Sequence, residues 1–301
     1  MSTTNSKCLL TCEILWDCFP DAELLGGATL NVAYHINYLN TEPVILSSVG
    51  NDRLGEKALN IIQTQWHCST DYVRVLDEVG TGKVQVTLDE QGDATYEVLT
   101  PAAWDYVEIN QETLNKNGAM DAFVYGSVFL RSEYNRRQVD QFLKTFKGLK
   151  CIDVNLRPPH NSPEMVLDYA AKADFVKANE EELSVLTSDL PQDCTLRDRI
   201  VALADKLEIC QLCITRAEKA AMLYHEGTYY EGKTFPVIVK DTVGAGDAFF
   251  ASMIDSLLSG SFDPIRALNR ATTIGSWVAS QSGAQPTYDE KIKTLIGNRI
   301  A

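Results

Sequence analysis

The sequence predicts an α/β fold with a mainly parallel central sheet flanked by helices, and two patterns favour it. Short apolar runs alternate along the chain with amphipathic stretches of helical period, and the connections between them are short. Several runs are apolar throughout, which is typical of parallel strands buried on both faces. The chain has 301 residues, 45% of them hydrophobic, and so can bury a substantial core. Because no long linker or internal repeat divides it, we interpret residues 1–301 as a single domain.

The predicted elements follow one another in regular order. Seven apolar runs are predicted as strands: residues 8–15, 44–46, 122–126, 151–154, 174–178, 212–215 and 235–239. The 3.6-residue period predicts helices that begin near Asn31, Gly55, Arg136, Thr195 and Asp247. This alternation brings the carboxyl ends of the strands to one edge of the sheet, where open α/β sheets bind ligands.

One segment interrupts the alternation of strands and helices. Apolar and polar residues alternate over 84–89 and again over 94–98, and Glu-Gln-Gly-Asp at 90–93 is typical of a turn. The segment is therefore predicted to be an antiparallel hairpin with one apolar face. It is a candidate for a lid or for a contact between two subunits, and an edge hairpin without such a role is the alternative.

The overall charge limits the classes of partner. The formal net charge is −14, which gives little attraction for nucleic acid or for an anionic membrane. No apolar run reaches the roughly 18 residues that a membrane span requires. The first apolar run contains Glu13 and is too short for a signal peptide. We therefore expect a cytoplasmic protein.

The run Asp-Thr-Val-Gly-Ala-Gly-Asp at 241–247 carries the strongest chemical signal. It precedes a predicted helix, so the small residues Gly244, Ala245 and Gly246 lie at a helix N-terminus, where free amides and the helix dipole attract an anion. Asp247 lies beside this predicted phosphate site. A carboxylate there can simply stabilise the helix, but it can also accept the proton of an attacking hydroxyl as a general base.

Other polar residues follow predicted strands or begin helices. Asp17 follows the first predicted strand, on the side of the sheet where ligands bind. Asn31 begins a helix, where a short amide is either a cap or a ligand-binding group. Arg157 follows the strand at 151–154 and either pairs with a phosphate or lies on the surface.

A second phosphate-binding pattern is rejected on its context. Residues 227–234 satisfy the formula Gly-x4-Gly-Lys-Thr, which requires a strand before it and a helix after it. Strand-like residues stand on both sides, so the sequence predicts a hairpin there instead.

The motif at 241–247 resembles the C-terminal signature of the ribokinase-like, or PfkB, carbohydrate kinases. Four further segments resemble motifs of this family in the same order: the paired glycines at 26–31, Gly-x-Asp-x-x-Gly at 50–55, Asn-x-x-Glu at 179–182 and the closing segment at 282–287. The resemblance covers nearly the whole chain. It implies a three-layer ribokinase-like fold with a small antiparallel β lid, formed by segments at about 14–26 and 83–105.

The family resemblance also implies roles in phosphate transfer. Asp247 would be the catalytic base, and the amides of Gly244, Ala245 and Gly246 would form the anion hole for the γ-phosphate of ATP. Residues that would bind the nucleotide, or organise magnesium through water, are Asn179, Glu182 and Thr215.

Further roles implied by the resemblance concern the sugar, a monovalent cation and the assembly. Residues that would contact the sugar, besides Asp247, are Asp17, Gly26, Gly27 and Asn31. Residues that would border a potassium site are Asp241, Val243, Gly283 and Thr287. The lid would also join two subunits as a homodimer.

Within the family, segments at 13–20, 25–35, 101–105 and 153–158 resemble bacterial fructokinases. This implies ATP-dependent phosphorylation of D-fructose at its 6-hydroxyl. Ketodeoxygluconate, ribose and adenosine are alternative acceptors, and a silent sugar- or nucleotide-sensing protein is the alternative to an enzyme. Ala217 and Ala220 stand where the family usually has glycines, which leaves the shape of the nucleotide loop open.

Overall fold

The strands form two sheets in a computed structural model, which describes residues 6–88, 94–115, 118–290 and 292–294. In chain order the strands are β1 (Lys7–Thr11), β2 (Leu15–Cys18), β3 (Glu23–Gly26), β4 (Glu42–Gly50), β5 (Val73–Leu76), β6 (Gly82–Leu88), β7 (Ala94–Val98), β8 (Ala122–Gly126), β9 (Leu149–Asp153), β10 (Phe175–Asn179), β11 (Gln211–Arg216), β12 (Lys219–His225) and β13 (Thr228–Glu231). The helices are α1 (Ala28–Ile36), α2 (Arg53–Thr64), α3 (Gln111–Asn115), α4 (Glu133–Leu143), α5 (Pro163–Ala170), α6 (Glu180–Leu186), α7 (Leu196–Leu207), α8 (Ala245–Leu258) and α9 (Pro264–Ala279).

The large sheet has the order β13-β12-β11-β10-β9-β8-β1-β4-β5. All neighbours from β11 to β5 are parallel, and only β12 and β13 run antiparallel at one edge. The predicted mainly parallel sheet is therefore confirmed. Parallel register brings Asp153, Asn179 and Thr215, at the carboxyl ends of β9, β10 and β11, to the same edge of the sheet.

Alternate residues of the strands enter two separate apolar layers. Leu9 and Phe123 pack on the face covered by α4 to α7, whereas Leu10 and Val124 pack on the face covered by α1, α8 and α9. Both layers consist of fully buried aliphatic and aromatic side chains. Helices on both faces of the sheet complete the predicted three-layer α/β architecture. None of the helices in the described ranges is long and apolar enough to cross a bilayer.

The small sheet has the order β3-β2-β6-β7. The predicted hairpin is present as the antiparallel pair β6 and β7, and its predicted turn at 90–93 lies outside the described residues. The strands come from both expected lid segments, because β2 and β3 lie within 14–26. The sheet is mixed rather than wholly antiparallel, since β2 and β6 run parallel.

One predicted strand is divided in the structure and another is absent. The strand at 8–15 is divided: β1 ends at Thr11, and the chain leaves the large sheet through residues 12–14 to begin β2 in the small sheet. Glu13 is buried at this connection, where its carboxylate accepts a hydrogen bond from the Thr29 amide at the start of α1. Asp17 consequently lies within β2 rather than after β1.

The segment at 235–239 is irregular and forms no strand. Pro236 has no amide hydrogen to donate to a neighbouring strand, and the side chain of Ile238 is 87% exposed. The hairpin predicted around 227–234 is present as β12 and β13, but its second strand is Thr228–Glu231 rather than the predicted 235–239, and its turn residues Glu226 and Gly227 have φ angles of 48° and 78°. Positive φ at both central residues is typical of two-residue hairpin turns.

Candidate active site

The N-terminus of α8 is built around Gly244. This residue is the N-cap, with φ 79°, and a Cβ atom on it would lie 2.6 Å from the Cα of Ala284. Only glycine fits such a conformation without strain. The amides of the first helical turn, which include Gly246 and Asp247, have no acceptor within the helix. Together with the dipole of a 14-residue helix, they form a site that attracts an anion.

Asp247 is half-buried in the first turn of α8. Burial and the negative charge of Asp153 raise the pKa of its carboxyl to about 7, although a hydrogen bond from Asn31 and the charge of Lys177 act in the opposite direction. Asn31 Nδ2 donates to Asp247 Oδ2 over 2.8 Å. A carboxyl group with this pKa exchanges protons readily near neutral pH, as a general base must.

Asn31 lies inside α1 and is not its cap. The N-cap of α1 is Gly27, whose φ is 125° and whose Cβ would lie 1.7 Å from the carbonyl oxygen of Glu13. The helix therefore needs glycine at its start, and the Asn31 side chain is free to reach Asp247. The alternative of a simple helix cap for Asn31 is wrong.

A buried ion pair beside Asp247 was not identified from the sequence. Lys177 and Asp153 are opposite one another in the register of β10 and β9, and the Lys177 Nζ lies 3.0 and 2.9 Å from the two Asp153 carboxylate oxygens. Burial alone would lower the pKa of Lys177, but the negative charges of Asp153 and Glu182 outweigh it and raise the pKa. A Cβ on Gly246 would lie 3.3 Å from Lys177 Nζ, so the ammonium group lies against the anion site.

A sequence signal for this pair did exist. Lys177 and Asp153 each interrupt an otherwise apolar strand, Phe-Val-Lys-Ala and Cys-Ile-Asp-Val. Charges in buried strands require a partner of opposite sign, so two such charges on neighbouring strands favour an ion pair.

Asn179 and Glu182 form a reciprocal cap at the start of α6. Asn179 Oδ1 accepts from the Glu182 amide, and Glu182 Oε2 accepts from the Asn179 amide, both over 2.8 Å. Glu182 Oε1 accepts from the Leu156 amide. Burial and the Asp153 charge raise the pKa of Glu182. Each carboxylate oxygen keeps a second lone pair, so the pair fits magnesium held through water molecules.

The described residues do not gather several side chains that could coordinate a metal directly. In the part of the chain that the structure describes, no group of three or more His, Cys, Asp or Glu residues could hold a metal ion. Magnesium in phosphoryl-transfer sites usually keeps several waters and binds substrate phosphates, which agrees with this arrangement.

A cleft of about 730 Å³ leads from Thr215 to the start of α8. It is bordered on one side by the loop after β11 and on another by α9, and its lining includes Thr215, Arg216, Lys219, Gly246 and Ser276. This volume lies within the range of small-molecule and cofactor sites. Ala217 in the same loop adopts a φ of 47°, so the loop has a left-handed residue even where glycine is replaced by alanine.

The expected sugar-binding residues lie near the start of α1 and in the small sheet. Gly26 ends β3, and a Cβ on it would lie 3.2 Å from Asp17 Oδ2 on β2. Burial raises the pKa of Asp17 to about 6. The structure thus places Asp17 against Gly26, and Asn31 against Asp247.

Three of the four residues expected at the cation site come together. Asp241 Oδ1 accepts from the Val243 amide over 3.0 Å, and Asp241 Oδ2 accepts from the Gly283 amide over 2.9 Å. Thr287 lies further along the closing segment and is exposed. Each oxygen of the Asp241 carboxylate thus accepts from a backbone amide, and a cation site beside it stays a prediction.

Arg157 is exposed after β9. Its Nη1 donates to the carbonyl of Leu156 over 2.8 Å, and its amide donates to Asn161 Oδ1 over 2.7 Å. The side chain lies on the surface in this state, and its contact with phosphate stays a prediction.

Comparison with known proteins gives a consistent result. A family profile described as pfkB family carbohydrate kinase matches residues 22–291. A fructokinase of Salmonella typhimurium is 26% identical over 300 residues, covering 93% of this chain and 95% of that protein. A deoxyribokinase of Salmonella typhi is 25% identical over 265 residues, covering 87% of this chain and 84% of that protein.

A solved structure is also similar. It is a double mutant of the fructokinase from Vibrio cholerae O395, in a form with fructose, ADP and potassium ion bound. It has a TM-score of 0.80 and 25% sequence identity, and the match covers 95% of this chain and 96% of that one.

Proposed function

This chain belongs to the pfkB family of carbohydrate kinases, and from that premise we propose that it transfers the γ-phosphate of ATP to a primary hydroxyl of D-fructose, giving fructose 6-phosphate. The observation that carries the proposal is the Asp247 carboxyl, whose raised pKa and position beside the Gly244 anion site suit a general base. Phosphoryl transfer otherwise requires positioning and charge neutralisation, which the surrounding groups supply.

The proposed step begins at the sugar hydroxyl. Asp247 Oδ2 is held by Asn31, so Oδ1 accepts the hydroxyl proton as the sugar oxygen bonds to the γ-phosphorus. The bond between that phosphorus and the bridging oxygen breaks, and ADP leaves with the electron pair. The amides of Gly244 and Gly246 hold the phosphoryl oxygens during transfer, and the Ala245 amide joins them once its 3.3 Å hydrogen bond to the Thr242 carbonyl opens.

The nucleotide occupies the cleft beside Thr215 in this proposal. Asn179 and Glu182 would hold the water molecules of a magnesium ion, which would neutralise charge on the phosphates. Asp241, Val243 and Gly283, with Thr287 further along the closing segment, would border a potassium ion. Arg157 contacts the phosphates after a change of side-chain conformation.

Fructose is proposed from the resemblance of the N-terminal segments to fructokinases and from the names of the relatives. The deoxyribokinase relative, at almost the same identity, keeps a pentose such as ribose as the second candidate. Ketodeoxygluconate and adenosine are further acceptors to test, because a few pocket contacts decide among such substrates.

The proposed mechanism is tested with Asp247→Asn. We expect turnover to fall by about 10²- to 10⁴-fold, since the amide cannot accept the proton. ADP release is measured over a panel of sugars and nucleosides, with and without potassium. Asp263→Asn is the matched control, because Asp263 also lies at a helix start but only caps α9.

Two results would contradict the proposal. Wild-type turnover by the Asp247→Asn variant would refute the role of Asp247 as the general base. Binding of fructose and ATP by the unmodified protein without any ADP release would instead favour a sensing protein.

A further inference from the structure

The closing segment 283–288 is fixed on α1 by buried contacts. His35 Nε2 lies 3.0 Å from the Ala284 carbonyl, and His35 Nδ1 lies 3.0 Å from the Tyr288 hydroxyl. A carbonyl can only accept, so Nε2 carries the proton and Nδ1 accepts from Tyr288. Burial lowers the pKa of His35 to about 3 and keeps the ring neutral. Tyr34 adds a hydrogen bond to the Pro286 carbonyl.

Gln285 lies in the middle of this fixed segment. Its Nε2 donates to Asn31 Oδ1 over 2.8 Å, and Asn31 Nδ2 donates to Asp247 Oδ2 over the same distance. The ionised carboxylate can only accept, so the donor end of the Asn31 amide must face it. Gln285 donates to the oxygen of that amide. In both hydrogen bonds of the Asn31 side chain, a donor therefore faces an acceptor.

We propose that Gln285 is a positioning residue, which fixes the orientation of the Asn31 amide and thereby leaves Oδ1 of Asp247 as the proton-accepting atom. This rests on the proposed function of Asp247. Without the Gln285 donor, the Asn31 amide can rotate by half a turn and direct its oxygen toward the carboxylate. That orientation repels the ionised base and frees Oδ2 to compete for the substrate hydroxyl.

The first test is Gln285→Met, which keeps the side-chain length and removes the donor. We expect kcat to fall roughly three- to tenfold, as for loss of one hydrogen bond, with KM for ATP unchanged. In a plot of kcat against pH, the acid limb moves to higher pH, because the ionised Asp247 carboxylate loses the Asn31 donor that stabilises it. The other groups that act on Asp247, namely Asp153 on β9, Lys177 on β10 and Glu13 before β2, stay in place.

Gln285→Glu is the second variant. A carboxylate at this position can only accept, so it draws the Asn31 donor away from Asp247. We expect a larger fall in kcat and a larger movement of the acid limb than in Gln285→Met. Gln281→Met is the matched control, since Gln281 belongs to the same region but donates to Ser280.

A double-mutant cycle separates this role from simple packing. If Gln285 acts through Asn31, then adding Gln285→Met to Asn31→Ala lowers kcat no further. Independent, additive losses would overturn the proposal, as would a wild-type pH profile in Gln285→Met. Thermal unfolding confirms that each variant is folded. An active Asp247→Asn variant refutes the role of Asp247 as the base, whereas an inactive Asp247→Asn together with wild-type kcat and pH profile in Gln285→Met refutes only the positioning role of Gln285.

Discussion

At the scale of single residues, the Asp247 carboxyl is under opposing influences. Burial and Asp153 favour its protonated form, while Asn31 and Lys177 favour its ionised form. The result is a pKa of about 7, well above the ordinary range for aspartate. The two members of the ion pair beside the anion site therefore act on the base in opposite directions, in addition to the larger effect of burial.

This balance predicts a pH dependence. A general base works only when ionised, so kcat should rise with pH through about 7 and level off above it. Asp153→Asn removes a negative neighbour and should move this acid limb to lower pH. The measurement is kcat from pH 5 to 9 at saturating substrates, with Asp174→Asn as the control. An unmoved limb in Asp153→Asn would contradict the electrostatic account.

The residues of the site differ in how far the sequence identifies them. Asp247 and its glycines form one continuous run, so spacing alone brings them together. Lys177 and Asp153 are 24 positions apart and meet only through the register of two strands, which the sequence does not specify. Gln285 and Asn31 are 254 positions apart and meet through the packing of the closing segment on α1.

At the scale of elements, α8 has a left-handed residue at each end. Gly244 precedes the helix and Gly260 follows it, with φ angles of 79° and 72°. Their surroundings differ, because a Cβ on Gly244 would meet Ala284 whereas a Cβ on Gly260 would meet nothing within 4 Å.

The difference predicts unequal effects of alanine. Gly260→Ala should lower the free energy of unfolding by about 1 kcal/mol, the cost of a left-handed alanine. Gly244→Ala adds a backbone clash and should cost more than about 2 kcal/mol. It should also lower turnover by displacing the amides of the anion site. Urea unfolding and ADP release measure both effects, and equal losses would show that the contact with Ala284 is unimportant.

The boundaries of elements were predicted less well than their existence. Apolar runs identified every parallel strand from β8 to β11, because these strands are buried on both faces. In the run at 8–15 the charged Glu13 marks the division, but its place in the fold depends on a contact with α1, which the sequence does not specify. The apolar residues at 235–239 were mistaken for a strand because an exposed loop and a strand can share the same composition.

At the scale of the whole molecule, the hydrophobic periodicity of the sequence was sufficient to predict the three layers of the fold. Alternating strands and helices leave few arrangements other than a covered parallel sheet. Periodicity was not sufficient to predict the small sheet, because β2 and β6 pair across 67 positions of sequence. The contact of Gln85 with Cys18 shows this pairing. Only the family resemblance predicted that those two segments belong to one lid.

The small sheet is also the proposed contact of a homodimer. Leu24 on β3 is 51% exposed and Leu99 after β7 is 39% exposed. We expect a dimer mass by light scattering and a monomer for Leu24→Glu, which places a charge in the contact. Val185→Glu, on the exposed side of α6, is the control and should leave the mass unchanged. A monomeric mass for the unmodified chain would refute the dimer.

The three residues that join β1 to β2 have a mechanical consequence. This short tether holds the small sheet to the large one, and its middle residue is anchored: Glu13 Oε2 accepts from the Thr29 amide over 3.1 Å and lies 2.5 Å from the Thr29 hydroxyl. Thr29 is two residues from Asn31 on α1. The small sheet is therefore attached to the helix that carries Asn31, the residue that hydrogen-bonds Asp247 on α8, so a displacement of this sheet is transmitted to the group that holds the base.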